Sequence, residues 1–198
     1  MRIQTLGVML LVAGAWGQEL PSGPSMKTAP RMAVSRVDRI FARADEFVAR
    51  QADRWFDQGD FPRAAQACRL RSFMYPADYD AATDYGWLLE SMNQFDSARD
   101  AYRRFRLGNP LMPDRALAEA QFCFLRLKDY KSVVELLEPV LSEKPHPNNY
   151  RILARSYEKL ENLKDSLRVY EKLIKDFPGD AAAKLNAERI RKKLQPTS

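Results

Sequence analysis

Few residues in this chain could do chemistry, and their spacing argues against it. The sole histidine, His146, stands between Pro145 and Pro147. A general base or metal ligand needs a second ligand or a nucleophile beside it. No Cys and no acidic cluster surrounds His146, so it reads as a turn residue. Cys68 and Cys123 lack the short spacing of a zinc site. Both read as small buried core residues, too far apart for a disulfide. The sequence has no Gly-rich phosphate loop and no Gly-x-Ser-x-Gly elbow. Its carboxylates are scattered along amphipathic stretches, where solvated charge is the ordinary reading. The sequence therefore predicts no enzyme, no metal and no cofactor.

The elements that carry these residues are helical. Charged residues make up 29% of the chain and hydrophobic residues 45%, as in a soluble globular protein. Good helix formers dominate, and apolar residues recur every three or four positions. Pro outnumbers Gly, 12 to 8, which disfavours Gly-rich β architectures. The net charge of +6 is uneven. Residues 18–140 balance 18 Lys and Arg against 18 Asp and Glu, whereas residues 141–198 hold 13 against 8. A basic end could be a solvated helix surface, or could meet an anionic polymer such as nucleic acid, acidic glycan or lipid.

The first residues, "MRIQTLGVMLLVAGAWGQEL", have Arg2, an apolar run from Ile3 to Trp16 and small residues at Ala15 and Gly17. This describes a secretory signal over 1–17, cleaved after Gly17 or after Ala15, with an uncleaved anchor as the alternative. The expected location is exported, periplasmic or secreted. Residues 18–34, rich in Pro and Gly, read as a linker. Ser35 then caps a helix starting near Arg36, with Val37, Phe41, Ala44, Val48 and Trp55 on one stripe.

Four windows repeat a shape: "GDFPRAAQAC", "NQFDSARDAY", "KDYKSVVELL" and "ENLKDSLRVY". Their third positions are Phe61, Phe95, Tyr130 and Leu163. Small or short residues Ala64, Ala98, Val133 and Ser166 follow, then Cys68, Tyr102, Leu137 and Tyr170. Pro76, Pro110, Pro145 and Pro178 close each unit. The pattern resembles the tetratricopeptide repeat family, whose units of about 34 residues are helix hairpins. The resemblance covers repeats 45–78, 79–112, 114–147 and 147–180. It is weakest in the third, where Gln121 and Val133 replace small residues, so that its two helices should stand apart or tilt. A capping helix, 181–194, and a short tail, 195–198, complete a domain over 35–194. The fold implied is all-α: a right-handed superhelical solenoid of about four hairpins plus the cap. Small residues at the crossings let helix axes approach, and stacking gives a core shared between neighbours.

In this family the first helices line a groove. Carried over position by position, that groove would include Asp53, Phe56, Trp87, Glu90, Phe122, Arg126, Arg151, Arg155 and Lys159. It runs from acidic through aromatic to basic, which suits a protein or peptide partner; Trp87 could instead pack under a neighbouring segment. The Lys and Asn clamp of chaperone-tail binders is absent, since Ala49 and Asp53 stand at its first-repeat positions. The implied function is a non-catalytic binding scaffold of the cell envelope or secreted space. The alternative is electrostatic capture of an anionic polymer by Arg151, Arg155, Lys159, Arg189, Lys192 and Lys193.

Overall fold

A computed structural model describes residues 35–195. The expected signal segment, linker and most of the tail lie outside the described residues. The chain divides into two compact units, 1–41 and 42–198. Of the first, the described part is Ser35–Phe41, where a helix opens. The Ser35 hydroxyl accepts from the Asp38 amide, and the Asp38 carboxylate accepts from the Ser35 amide, both at 3.0 Å. This reciprocal pair satisfies two amides that have no partner within the helix. Val37 and Phe41 are both more than half exposed, so this part of the expected apolar stripe is not buried.

The helices run in one order: α1 (Arg36–Asp57), α2 (Phe61–Met74), α3 (Tyr79–Ser91), α4 (Phe95–Gly108), α5 (Leu117–Phe122), α6 (Tyr130–Leu137), α7 (Pro147–Lys159), α8 (Leu163–Asp176) and α9 (Ala181–Leu194). A π-helical turn, Cys123–Leu127, prolongs α5, and a 3-10 turn, Pro139–Glu143, follows α6. Among the described residues there is no strand. Within 42–198 the helices pair as hairpins and stack in sequence as a solenoid, with α2 on α3, α7 on α8 and α8 on α9.

Local chemistry sets the hairpins. One residue in each turn takes the left-handed conformation: Gly59, Asn93, Lys128 and Glu161, with φ of 76°, 58°, 55° and 60°. Gly and Asn tolerate that region well; Lys128 and Glu161 adopt it against their preference. Asp60, Asp129 and Asn162 cap α2, α6 and α8 through their side chains, and Asp180 caps α9 through the Ala183 amide. Pro139 lacks an N–H and would crowd a preceding carbonyl, so α6 stops and a tighter turn takes over.

The core is a chain of clusters. Ala52, Ala64, Cys68 and Leu88 form one, with Val48 and Trp55 packed against it. Leu89, Ala98, Tyr102 and Phe122 form the next. The largest joins Ala120, Val133, Leu137, Tyr150, Leu153, Val169 and Tyr170 to Ala183, Ala187 and Ile190 of α9. Both cysteines are buried and unbridged, and burial pushes each thiol up to about 11.

The third repeat differs from expectation for a specific reason. Its small crossing residue is Ala120, fully buried, and not Gln121, which is half-buried. Ala52, Gly86, Ala120 and Ala154 then lie 34 residues apart throughout, and all four are buried. From these to Ala64, Ala98, Val133 and Ser166 the separation is 12 residues, except in repeat three, where it is 13. The extra residue lies in the segment that holds the π turn Cys123–Leu127. A π turn accommodates such an insertion without breaking the helix.

Candidate functional site

The corrected register decides which side chains the first helices present. One residue beyond each small position stand Asp53, Trp87, Gln121 and Arg155. Four beyond stand Phe56, Glu90, Phe124 and Glu158. Phe122 belongs to neither row. It occupies the position of Leu88 and Ser156, which are also buried. Only 2% of Phe122 is exposed, and its ring packs on Tyr102 at 5.9 Å and Phe95 at 6.2 Å. The expectation that Phe122 lines the groove is therefore corrected: it is core. The signal that would have found this is the uniform spacing through Ala120.

At the acidic end Asp53 is exposed, as is Asp57. Phe56 is 40% exposed and tilts onto the half-buried Trp87 with ring centres 5.7 Å apart. Phe61 packs on Phe56 as well, at 5.5 Å. Trp87 thus offers one part of its ring and packs the other against core. Leu125 is 49% exposed beyond it, and Lys159 is exposed in repeat four.

Several of the charged residues hold repeats together. Glu90 accepts from the Tyr102 hydroxyl at 2.7 Å and from Arg126 Nε at 2.8 Å. Burial, with Glu90 beside it, drives the Tyr102 phenol well above its ordinary value. The same device recurs at the end of the array. Glu158 accepts from both terminal nitrogens of Arg189 at 2.8 Å, with Tyr170 at 3.5 Å. In both cases a Glu on a first helix joins the tyrosine twelve residues later to an arginine of the next first helix or of α9. Arg155 stands beside Tyr170, and burial with Glu158 raises that phenol while Arg155 pulls against them. Arg151 is only 19% exposed and bridges Asn148 and Asp180. Glu90, Arg126 and Arg151 are thus committed to neighbours.

The basic end is partly compensated. Besides Arg151 and Arg189, Arg191 pairs with Glu171 at 2.8 Å and Lys193 approaches Glu158 at 3.9 Å. Lys159 and Lys192 remain on the surface.

His146 is the N-cap of α7. Its backbone amide donates to Asp114 at 2.7 Å, and its Nδ1 accepts from the Asn148 amide at 3.3 Å. Burial lowers its pKa, against the opposing pull of Asp114. Only the neutral ring can accept at Nδ1. Because the folded value is lowered, the cap contributes fully above about pH 6.5, and its contribution fades as pH falls through the folded value. The denaturation midpoint should therefore drop between pH 7 and pH 5. His146→Asn, which keeps an acceptor that does not titrate, should drop less.

Among the described residues no group of three His, Cys, Asp or Glu could hold a metal ion. No described helix is long and apolar enough to cross a membrane.

Comparison with known proteins agrees with this geometry. Residues 151–180 match the tetratricopeptide repeat family. No curated protein matches the sequence. Several solved structures share the fold. A tetratricopeptide repeat protein from Parabacteroides merdae is 17% identical, with a TM-score of 0.59 over 76% of this chain and 61% of that one. MamA from Desulfovibrio magneticus is 15% identical, with a TM-score of 0.55 over 75% and 84%. A thermophilic repeat protein of Thermus thermophilus is 15% identical, with a TM-score of 0.55 over 75% and 81%. One repeat, 151–180, matches the tetratricopeptide repeat family in sequence, and the described chain shares the fold of solved tetratricopeptide repeat solenoids.

Proposed function

We propose that this protein is a non-catalytic scaffold that binds another protein or peptide on the face built by its first helices. Proteins of this fold are generally interaction scaffolds. The observation that carries the reading is the half-exposed pair Phe56 and Trp87 set between exposed acid at Asp53 and Asp57 and the exposed Leu125 and Lys159. Aromatic rings that keep one face in water while the other is fixed by packing are preordered for binding, because little side-chain freedom remains to be lost. The ligand that fits is a segment with a basic end, an apolar centre and an acidic end.

The test is Phe56→Ser combined with Leu125→Ser, two exposed positions whose loss should leave the helical circular dichroism unchanged. Proteins recovered with the wild-type chain from an envelope fraction, and identified by mass spectrometry, should be retained at least tenfold less by this variant. Equal retention by both would sink the reading. The electrostatic alternative is disfavoured, because three of the six cations it needs, Arg151, Arg189 and Lys193, already pair with carboxylates.

Export is part of the proposal. It rests on the charge, apolar run and small residues of 1–17. The mature chain should begin at Gln18 or Trp16 on N-terminal sequencing; a chain recovered intact from the cytosol would contradict it.

A further inference from the structure

A second groove lies on the other helices of the stack, between α2 and α4. Its inner part is a cleft of about 170 Å³, floored by Pro76, Ala101 and Phe105 and walled by Phe73 and Tyr85. A cavity of about 150 Å³ is large enough to hold a benzene ring. The cleft opens into a more polar mouth with Ser97 and Asp100 on its edge. Arg69 and Arg104 flank both parts, one from each helix.

Two features set this groove apart from ordinary surface. Phe73 is 67% exposed, the most exposed aromatic ring among the described residues, and the Arg69 guanidinium lies 5.6 Å from its centre. Two other arginines of the same helices are committed: Arg71 pairs with Asp45 at 3.0 Å and Arg106 with Glu119 at 2.7 Å. Arg69 and Arg104 are exposed, and among the described residues neither forms an ion pair. An apolar cleft between two guanidiniums that form no ion pair complements an apolar group carried next to negative charge.

We propose that this groove is a second binding site, distinct from the first-helix face, for a peptide segment bearing an aromatic side chain directly flanked by carboxylates. The ring enters the cleft against Phe73 and Phe105, and the carboxylates lie between Arg69 and Arg104. Asp100 at the mouth accepts a backbone N–H of the segment.

Fluorescence anisotropy with the full chain tests this, using a fluorescein-labelled Gly–Ser peptide with Glu-Phe-Glu at its centre. Saturable binding is expected. Peptides with Lys-Phe-Lys or Glu-Ala-Glu should bind at least tenfold more weakly, as should the Arg69→Glu/Arg104→Glu variant with the original peptide. Gly108 lines the same cleft, and a side chain there meets no atom within 4 Å of its Cβ. Gly108→Phe should therefore occupy the cleft without disturbing helicity and reduce binding at least tenfold. The Phe56→Ser/Leu125→Ser variant should bind the peptide as wild type does, which separates this site from the first-helix face. Absence of saturable binding, equal affinity for the lysine peptide, or unchanged affinity in Arg69→Glu/Arg104→Glu would overturn the proposal. So would saturation of the groove by dodecanoate when the peptide does not bind.

Discussion

Replacing Phe122 with Ala is expected to destabilise the protein by about 4 kcal/mol, the cost of a large cavity where an aromatic ring is deleted from a core. Phe122 is buried at the junction of repeats two and three, against Tyr102, Phe95, Leu89 and Ala98. Two rings lose a packing partner at once, and α4 and α5 lose part of what joins them. For a chain of this length, the loss corresponds to a fall in melting temperature of roughly 8–16 °C. Leu125→Ala, three residues later but exposed, should change stability by no more than about 0.5 kcal/mol. Thermal and urea melts of the two variants side by side check the register. If Phe122→Ala melts with Leu125→Ala, the ring is not in the core and the position of the extra residue in repeat three is wrong. The contrast matters for function too. A Phe122 variant that loses a partner would report unfolding and say nothing about a binding face.

The second large effect is expected at Gly86. A Cβ there would lie 2.2 Å from Tyr102 Cε1, 2.3 Å from Cζ and 2.7 Å from the hydroxyl oxygen. Tyr102 has little room to yield: it is 4% exposed, its hydroxyl donates to Glu90, and its ring rests on Phe122. Two effects oppose each other in Gly86→Ala. Helix propensity favours Ala by about 1 kcal/mol. Overpacking costs about 3 kcal/mol. The clash wins, and a net loss of about 2 kcal/mol is expected. In a Gly86→Ala/Tyr102→Leu background, removing the ring should make the Gly86→Ala step nearly neutral, because the pair shares one volume. Gly179→Ala is the control, since its Cβ would meet nothing within 4 Å. A stable Gly86→Ala protein would mean that the crossing of α3 and α4 is looser than described.

Both predictions concern the place where repeat geometry and candidate site meet. Glu90 and Arg126 were candidate ligand contacts by position, yet they bind each other and Tyr102. Glu158, Tyr170 and Arg189 repeat the arrangement at the α9 end. Partly buried charge pairs of this kind fix neighbouring repeats in register, because removing either member leaves a charge without its partner. Among the first-helix positions, Phe56, Leu125 and Lys159 stay exposed.

The hairpin array could be read from the residues themselves, for reasons that act locally. Proline at 76, 110, 145 and 178 cannot continue a helix, and small residues at 52, 86 and 154 mark where helix backbones approach. Residues with turn preference near 59, 93, 129 and 162 supply the reversals, and the structure places a left-handed residue in each hairpin turn. These are short-range effects of covalent geometry and side-chain volume, so one strand of sequence suffices to display them. The tertiary structure alone decided the rest. That the two crossing positions of repeat three stand one residue further apart than in its neighbours is visible in the spacing, but whether the extra residue sits in the first helix, the turn or the second helix is a competition between helix strain and core burial. The π turn at Cys123–Leu127 keeps both Ala120 and Val133 inside. It also turns Phe122 inward and leaves Leu125 facing water. Which arginines are spent on carboxylates and which are left to meet a partner was equally a matter of three dimensions, because the pairs join residues 13 to 36 apart in the chain.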